Sequence, residues 1–343
     1  MSATSEANSL GSFFAIGIQS AKGTAATTLY KLIATDSSLA PEFQYRATRL
    51  EHPSAGGTTS WAMANTDQIT GYIGRASVTF PLRPKGIVPV LQATGYGVAT
   101  ADNTTYYTHT LTQGTDAAHK WATCIWKVDD SDAAYYMRGV DGRCTSLTIS
   151  VSTEEIMCTA EISFLTIAPL SGSPTYVAEQ ADEIVPWVGA RTDIDIGGYT
   201  VVEVMRAAEF TFTNTLREDD KAMWTQLLVN MQRQSIGIQA SFNEINVSDS
   251  VYEALYFGAD AGTTVATAPV TGNIDVEWRS PANISGAIVP YEFQFVAPSV
   301  QWKPAGAPSA SGDALITIGA DGMVVGNVAT PSTIVVINNV ASY

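Results

Sequence analysis

Residues 74–82 read Gly74-Arg75-Ala76-Ser77-Val78-Thr79-Phe80-Pro81-Leu82. Val78, Phe80 and Leu82 fall at every second position, so a strand places them on one side and turns Ser77 and Thr79 to the other. The same alternation returns at 42–50, where Phe43 and Tyr45 share a side, and at 145–151, 160–167, 208–213, 236–242, 274–278 and 291–296. Thr, Val, Ile and aromatic residues supply these runs, the types that fit a pleated, half-buried surface. Helical signals are few. The segment 86–94 has Pro89 in its first turn and Gly95 after its end, and 248–257 has a Ser248 or Asp249 cap, a Val251/Tyr252/Leu255 stripe and Gly258 as terminator. A third helix is expected over 218–229, with acids at its N-terminal end. The chain reads as mostly β with a few helices.

Three blocks recur in order. Glu42-Phe43-Gln44-Tyr45 answers Glu209-Phe210-Thr211-Phe212, and Gly74–Phe80 answers Ile236–Phe242, each of the latter leading into a helix. Ile162–Pro169 answers Tyr291–Pro298, each preceded by an alternating strand (Leu147 and Ile149; Val276 and Trp278). The first copy is longer between its second and third blocks, where 103–140 adds three strand-like runs. This repeat predicts two tandem β-sandwich or barrel domains, each flanked by a short α-helix, over 1–172 and 173–305. A linker at 304–312 and a C-terminal β tail or arm over 306–343 follow, with Ser332–Ile337 as one of its strands.

Composition narrows the function. Of 343 residues, 33 are acidic and 18 basic, a net charge of −15, and charged residues are 15% of the chain. A groove that grips nucleic acid gathers Lys and Arg, and nothing here is denser than Arg75 with Arg83 and Lys85. A surface that DNA passes without sticking fits the balance better. The beginning, Met1-Ser2-Ala3-Thr4-Ser5-Glu6, has no basic region and Phe13–Ile18 is short for a signal core, so no signal peptide is expected. No run approaches 18 apolar residues, so no membrane span is expected. Cys124, Cys144 and Cys158 form no C-x-x-C pair and read as buried apolar residues.

Catalytic patterns are missing. His52, His109 and His119 sit in no H-E-x-x-H, and His109, in Tyr-Tyr-Thr-His-Thr-Leu, reads as an exposed strand position. No G-x-S-x-G elbow occurs, and Gly17–Thr24 has Lys-Gly where a phosphate loop needs Gly-Lys. Asp129-Asp130-Ser131-Asp132 lacks the glycine and distal Glu of a calcium loop and reads as a hairpin tip. Asp193–Gly198 reads as a strand with an acidic face entering a glycine turn. No catalytic, cofactor or metal residue is expected. The loop 51–71, which joins two strands, is long for a hairpin and carries Trp61 and Met63 among small polar residues such as Thr58 and Thr59. Those four are the expected contacts of an arm that docks on a neighbour.

The run Gly17-Ile-Gln-Ser-Ala-Lys-Gly23-Thr24, the strand pair around the long loop, Gly-Arg-x-x-Val-x-Phe leading into a helix, and the late hairpin ending in Phe-x-x-x-Ala-Pro resemble tail tube proteins of long-tailed phages with non-contractile tails. The resemblance spans about residues 10–300 and implies a tail-tube-like fold. It further implies inner strands that join between subunits into a β-barrel, and rings that stack through terminal arms and the loop matching 51–71. The bore would hold the tape measure protein and then conduct DNA without sequence-specific contact. The expected setting is a virion tail assembled in the host bacterial cytoplasm, with no membrane partner. Two domains per chain imply a trimer ring with pseudo-sixfold symmetry. Two other classes compete: a β-sandwich adhesin or capsid or tail decoration module that binds a glycan or coat surface, and a carbohydrate-active enzyme with a deep cleft and paired carboxylates.

Overall fold

The computed structural model describes residues 7–47, 67–113, 120–130, 135–178, 183–188, 191–201, 207–218, 230–246, 249–259, 261–307, 317–326 and 331–343. The first half contains β1 (Ala7–Ile18), β2 (Tyr30–Leu32), β3 (Asp36–Ala47), β4 (Asp67–Pro81), α1 (Ile87–Thr94), β5 (Tyr96–Asp102), β6 (Tyr107–Gln113), β7 (Ala122–Asp130), β8 (Tyr135–Val151) and β9 (Ile156–Pro169). The second contains β10 (Arg191–Ile196), β11 (Tyr199–Thr200), β12 (Ala208–Arg217), β13 (Gln232–Asn246), α2 (Asp249–Phe257), β14 (Val270–Asn283), β15 (Pro290–Pro304), β16 (Thr317–Val324) and β17 (Thr333–Asn338). The fold is mostly β, with antiparallel pairing throughout the named strands. Both helices end on a left-handed glycine, Gly95 at φ 113° and Gly258 at φ 79°. The third expected helix, over 218–229, falls outside the described residues except for Glu218.

The halves share a set of pairings. β1–β2, β1–β7, β3–β4, β4–β9, β7–β8 and β8–β9 in the first have counterparts β10–β11, β10–β14, β12–β13, β13–β16, β14–β15 and β15–β16 in the second. The helix follows β4 in one and β13 in the other, and β5–β6 is extra in the first half. Two of the sequence blocks match the wrong residues. The third aligned β9 with β15, yet β15 holds the place of β8, and β16 holds that of β9. With the second block in register, the first would set Phe210 opposite Gln234; it faces Ala240 instead, six residues away. Alternating strands look alike one or several pleats apart, so sequence alone lets them slide.

One core crosses the middle of the chain. β8 pairs directly with β12, and Tyr96, Phe210, Phe212, Phe242, Phe293, Phe295 and Trp302 are all buried. Every residue of α1 is buried beneath it. The C-terminal segment, expected as a tail or arm after a linker, is woven in. β16 lies between β13 and β15, and β17 joins β15 to β6, burying Ile334 and Val336. These strands carry apolar faces that have no other cover, so they dock rather than trail.

Candidate functional site

Strand register brings together side chains far apart in sequence. Across β3, β4, β9, β8, β12, β13, β16 and β15 runs one lateral row: Asp36, Thr79, Thr159, Thr148, Thr211, Gln239, Met323 and Gln301, each directly opposite the next. On one side of it lies Ser38, Ser77, Glu161, Ser146, Thr213 and Gly237. On the other lies Ser150, Glu209, Ser241, Asp321 and Lys303. The alternate residues, such as Leu39, Val78, Ala160, Ile149, Phe210, Ile238 and Trp302, are buried. The rows therefore form the solvent side of a sheet with one covered face.

The chemistry of this side is uniform. Thr79 and Thr159 hydroxyls lie 3.1 Å apart, those of Thr148 and Thr211 3.5 Å, and Ser241 donates to Asp321 at 2.9 Å. Cross-strand hydroxyl pairs of this kind steady a sheet without adding charge. Charges on the three rows are Asp36, Glu161, Glu209 and Asp321 against Lys303. A shallow cleft of about 280 Å³ opens among Glu209, Ser241, Pro269, Lys303, Asp321 and Met323. Beside the rows Arg75 is held by Glu42 at 2.9 Å and by both oxygens of Glu218 at 2.7 and 2.8 Å, and Arg83 faces Glu183 at 3.4 Å. Of the three basic residues that sequence grouped together, Arg75 and Arg83 are thus turned to carboxylates.

At the edge, β3 pairs with β4 alone among the described residues. Where β4 leaves β9, beyond Gly74, residues 67–73 pair only with β3 among the described residues, so the two strands run on as a ribbon. Phe43, Tyr45 and Ile69 are 43%, 63% and 44% exposed on it, with the Phe43 ring 6.4 Å from Tyr45 and 6.3 Å from Tyr72. Phe43 and Tyr45 do share a side as expected, but among the described residues no core covers it. A two-stranded ribbon with bare aromatics is marginal by itself. The strands also continue to Ala47 and resume at Asp67, inside the expected loop 51–71. Thr58, Thr59, Trp61 and Met63 lie outside the described residues, as do His52 and His119.

His109 overturns its expected exposure. It is fully buried, sharing the inward side of β6 with Leu111. The Asn338 amide donates to Pro84 O at 2.8 Å and Tyr343 Oη at 2.7 Å, and its oxygen accepts from Val340 N–H at 2.8 Å. That oxygen also faces His109 Nε2 at 3.0 Å, so Nε2 carries the hydrogen and Nδ1 accepts from the Thr100 hydroxyl at 2.9 Å. Burial lowers the His109 pKa from 6.5, with the Asn338 and Val340 bonds opposing. The neutral ring is the native form, so stability is complete above pH 6.5 and falls as pH drops from 6.5 toward the lowered folded value. His109→Gln is expected to cost about 1–3 kcal/mol at neutral pH by leaving partners unmet, and to flatten this acid-side slope in urea titrations. An unchanged slope assigns the acid sensitivity to other groups.

Asp193–Gly198 is the acidic strand and glycine turn that was expected, with Ile194 and Ile196 buried and Asp195 accepting from Gly198 N–H at 2.7 Å. The three cysteines are buried and free. Among the described residues no group of three or more His, Cys, Asp or Glu could hold a metal ion, and no helix is long and apolar enough to cross a membrane. Compared with known protein families and with curated proteins, the chain matches none.

Proposed function

We propose that this chain is a structural subunit that closes with its own copies into rings and stacks them into a conduit, the tail tube of a long-tailed bacteriophage. The observation that carries this reading is the lateral row from Asp36 to Gln301, continuous over eight strands and turned to solvent. Hydroxyls with four carboxylates against the single Lys303 offer a passing duplex neither a cluster of cations to hold its phosphates nor a pattern that reads base edges. In this reading the face lines the bore, the tape measure protein occupies it before DNA, and the chain catalyses nothing. The setting is the virion tail, assembled in the host bacterial cytoplasm.

The matched pairings of the halves support two copies of one unit, the second reaching past the expected boundary at 305 to Val324, because β16 holds the place of β9. Three chains then make a pseudo-sixfold ring. Eight strands from each would give a perimeter of about 115 Å and a backbone diameter of about 37 Å, taking about 4.8 Å per strand before tilt. Barrels of 16–18 strands already leave a water-filled channel. In this reading the exposed ribbon of Phe43, Tyr45 and Ile69 meets the next ring, together with the expected contacts Thr58, Thr59, Trp61 and Met63. Native mass measurement tests the ring: three chains of 36.4 kDa give about 109 kDa. A stable monomer at high concentration, or a ring of six chains, contradicts it.

A further inference from the structure

The two halves differ in one respect at their edges. β12 has β8 on its free side, while its counterpart β3 has no second strand partner among the described residues. β8 in turn corresponds to β15, which β14 matches only as far as Trp302, opposite Val270. Lys303 and Pro304 therefore have no strand partner on that side among the described residues. Each end of the sheet lacks what the junction in the middle supplies.

The register follows from the internal match. Phe80, Cys158 and Ile149 lie side by side in the first half, as Phe242, Ala320 and Pro304 do in the second. Ile149 and Thr148 thus correspond to Pro304 and Lys303. Val78 faces Ser37 and Ala240 faces Phe210, so Ser37 and Ser38 correspond to Phe210 and Thr211. In the middle, Phe210 faces Ile149 and Thr211 faces Thr148. We propose that β3 of one copy pairs antiparallel with the end of β15 in a second copy, with Ser37 opposite Pro304 and Ser38 opposite Lys303; the proposal rests on the ring reading and gives it a contact.

Three further features agree. Ser38 and Lys303 are both exposed and both lie on the hydroxyl side, so the join keeps that face continuous. Asp36 lies diagonally across from Lys303, within reach of a long side chain and opposite in charge. The row that starts at Ser38 arrives at Thr213, two residues beyond its counterpart Thr211, and a closed barrel requires such a stagger. The pairing would also cover an open strand edge.

The test is a cysteine pair. Facing strand residues lie within disulfide range, and the native cysteines are buried. Under mild oxidation Ser38→Cys with Lys303→Cys in one chain is expected to give covalent two- and three-chain species, at least tenfold more than Ser38→Cys with Gln301→Cys. Asp36→Lys is expected to raise the concentration for half-assembly roughly threefold, and adding Lys303→Glu to restore it. Equal cross-linking by both pairs, or rings and tubes of the pair variant with no cross-link, overturns the register while the conduit stands. Neither assembly nor cross-link in any variant sinks both.

Discussion

Replacing Trp302 with alanine is expected to lower stability by about 3–5 kcal/mol, the cost of removing a large buried aromatic from a packed core. Trp302 is fully buried in β15, its ring 5.2 Å from Phe242. Two glycines make room for it. A Cβ on Gly322 would sit 2.5 Å from the ring, and one on Gly272 2.8 Å from the indole nitrogen. Neither wall has a side chain that can move into the vacated space, so the cavity stays open. Urea unfolding measures the loss, and a change under about 1 kcal/mol would contradict this packing. The neighbouring Lys303 loses its support as well, so assembly is expected to weaken along with folding.

Lysines at Thr159, Thr148 and Thr211 are expected to give the largest functional change. These three occupy consecutive strands of the lateral row and are half-buried, neither covered nor fully open. Three lysines per chain put nine into a three-chain bore. An inert wall then becomes a cationic one, with affinity for duplex DNA falling roughly 10³–10⁵-fold between 50 and 200 mM salt. The unaltered protein is expected to bind duplex feebly at any of these salts. Filter binding across a salt series distinguishes the two, and a triple variant that folds, assembles and binds no better than the parent argues that the row does not face the bore.

Much of the fold was legible because alternation and caps are local. Val78, Phe80 and Leu82 go inward as a pleat demands, and Gly95 and Gly258 end the helices they were expected to end. β1 escaped notice because Phe13, Phe14, Ala15 and Ile16 are all buried. A strand covered on both sides has no period to read. Phe43 and Tyr45 alternate like core residues, yet alternation cannot say whether a cover exists. His109 carried a usable signal, its shared parity with Leu111, which its polarity masked. The block repeat found the right elements but not the right partners. An aromatic run followed by Ala-Pro occurs in both β9 and β15, at the end of one and in the middle of the other, and pairing is a property of the folded sheet. For the same reason the threonine row could not be seen. Thr79, Thr159, Thr148 and Thr211 read singly as good strand formers, and only register aligns them.

The central claim is that copies of this chain build a hollow tube whose wall continues the sheet from β3 to β15. Electron cryomicroscopy of the concentrated, purified protein tests it most directly. The account predicts stacked rings of three chains, an open bore, and density for Thr79, Thr159, Thr148 and Thr211 on its inner wall. Closed particles without a bore, or tubes that carry this row on their outer surface, would contradict it.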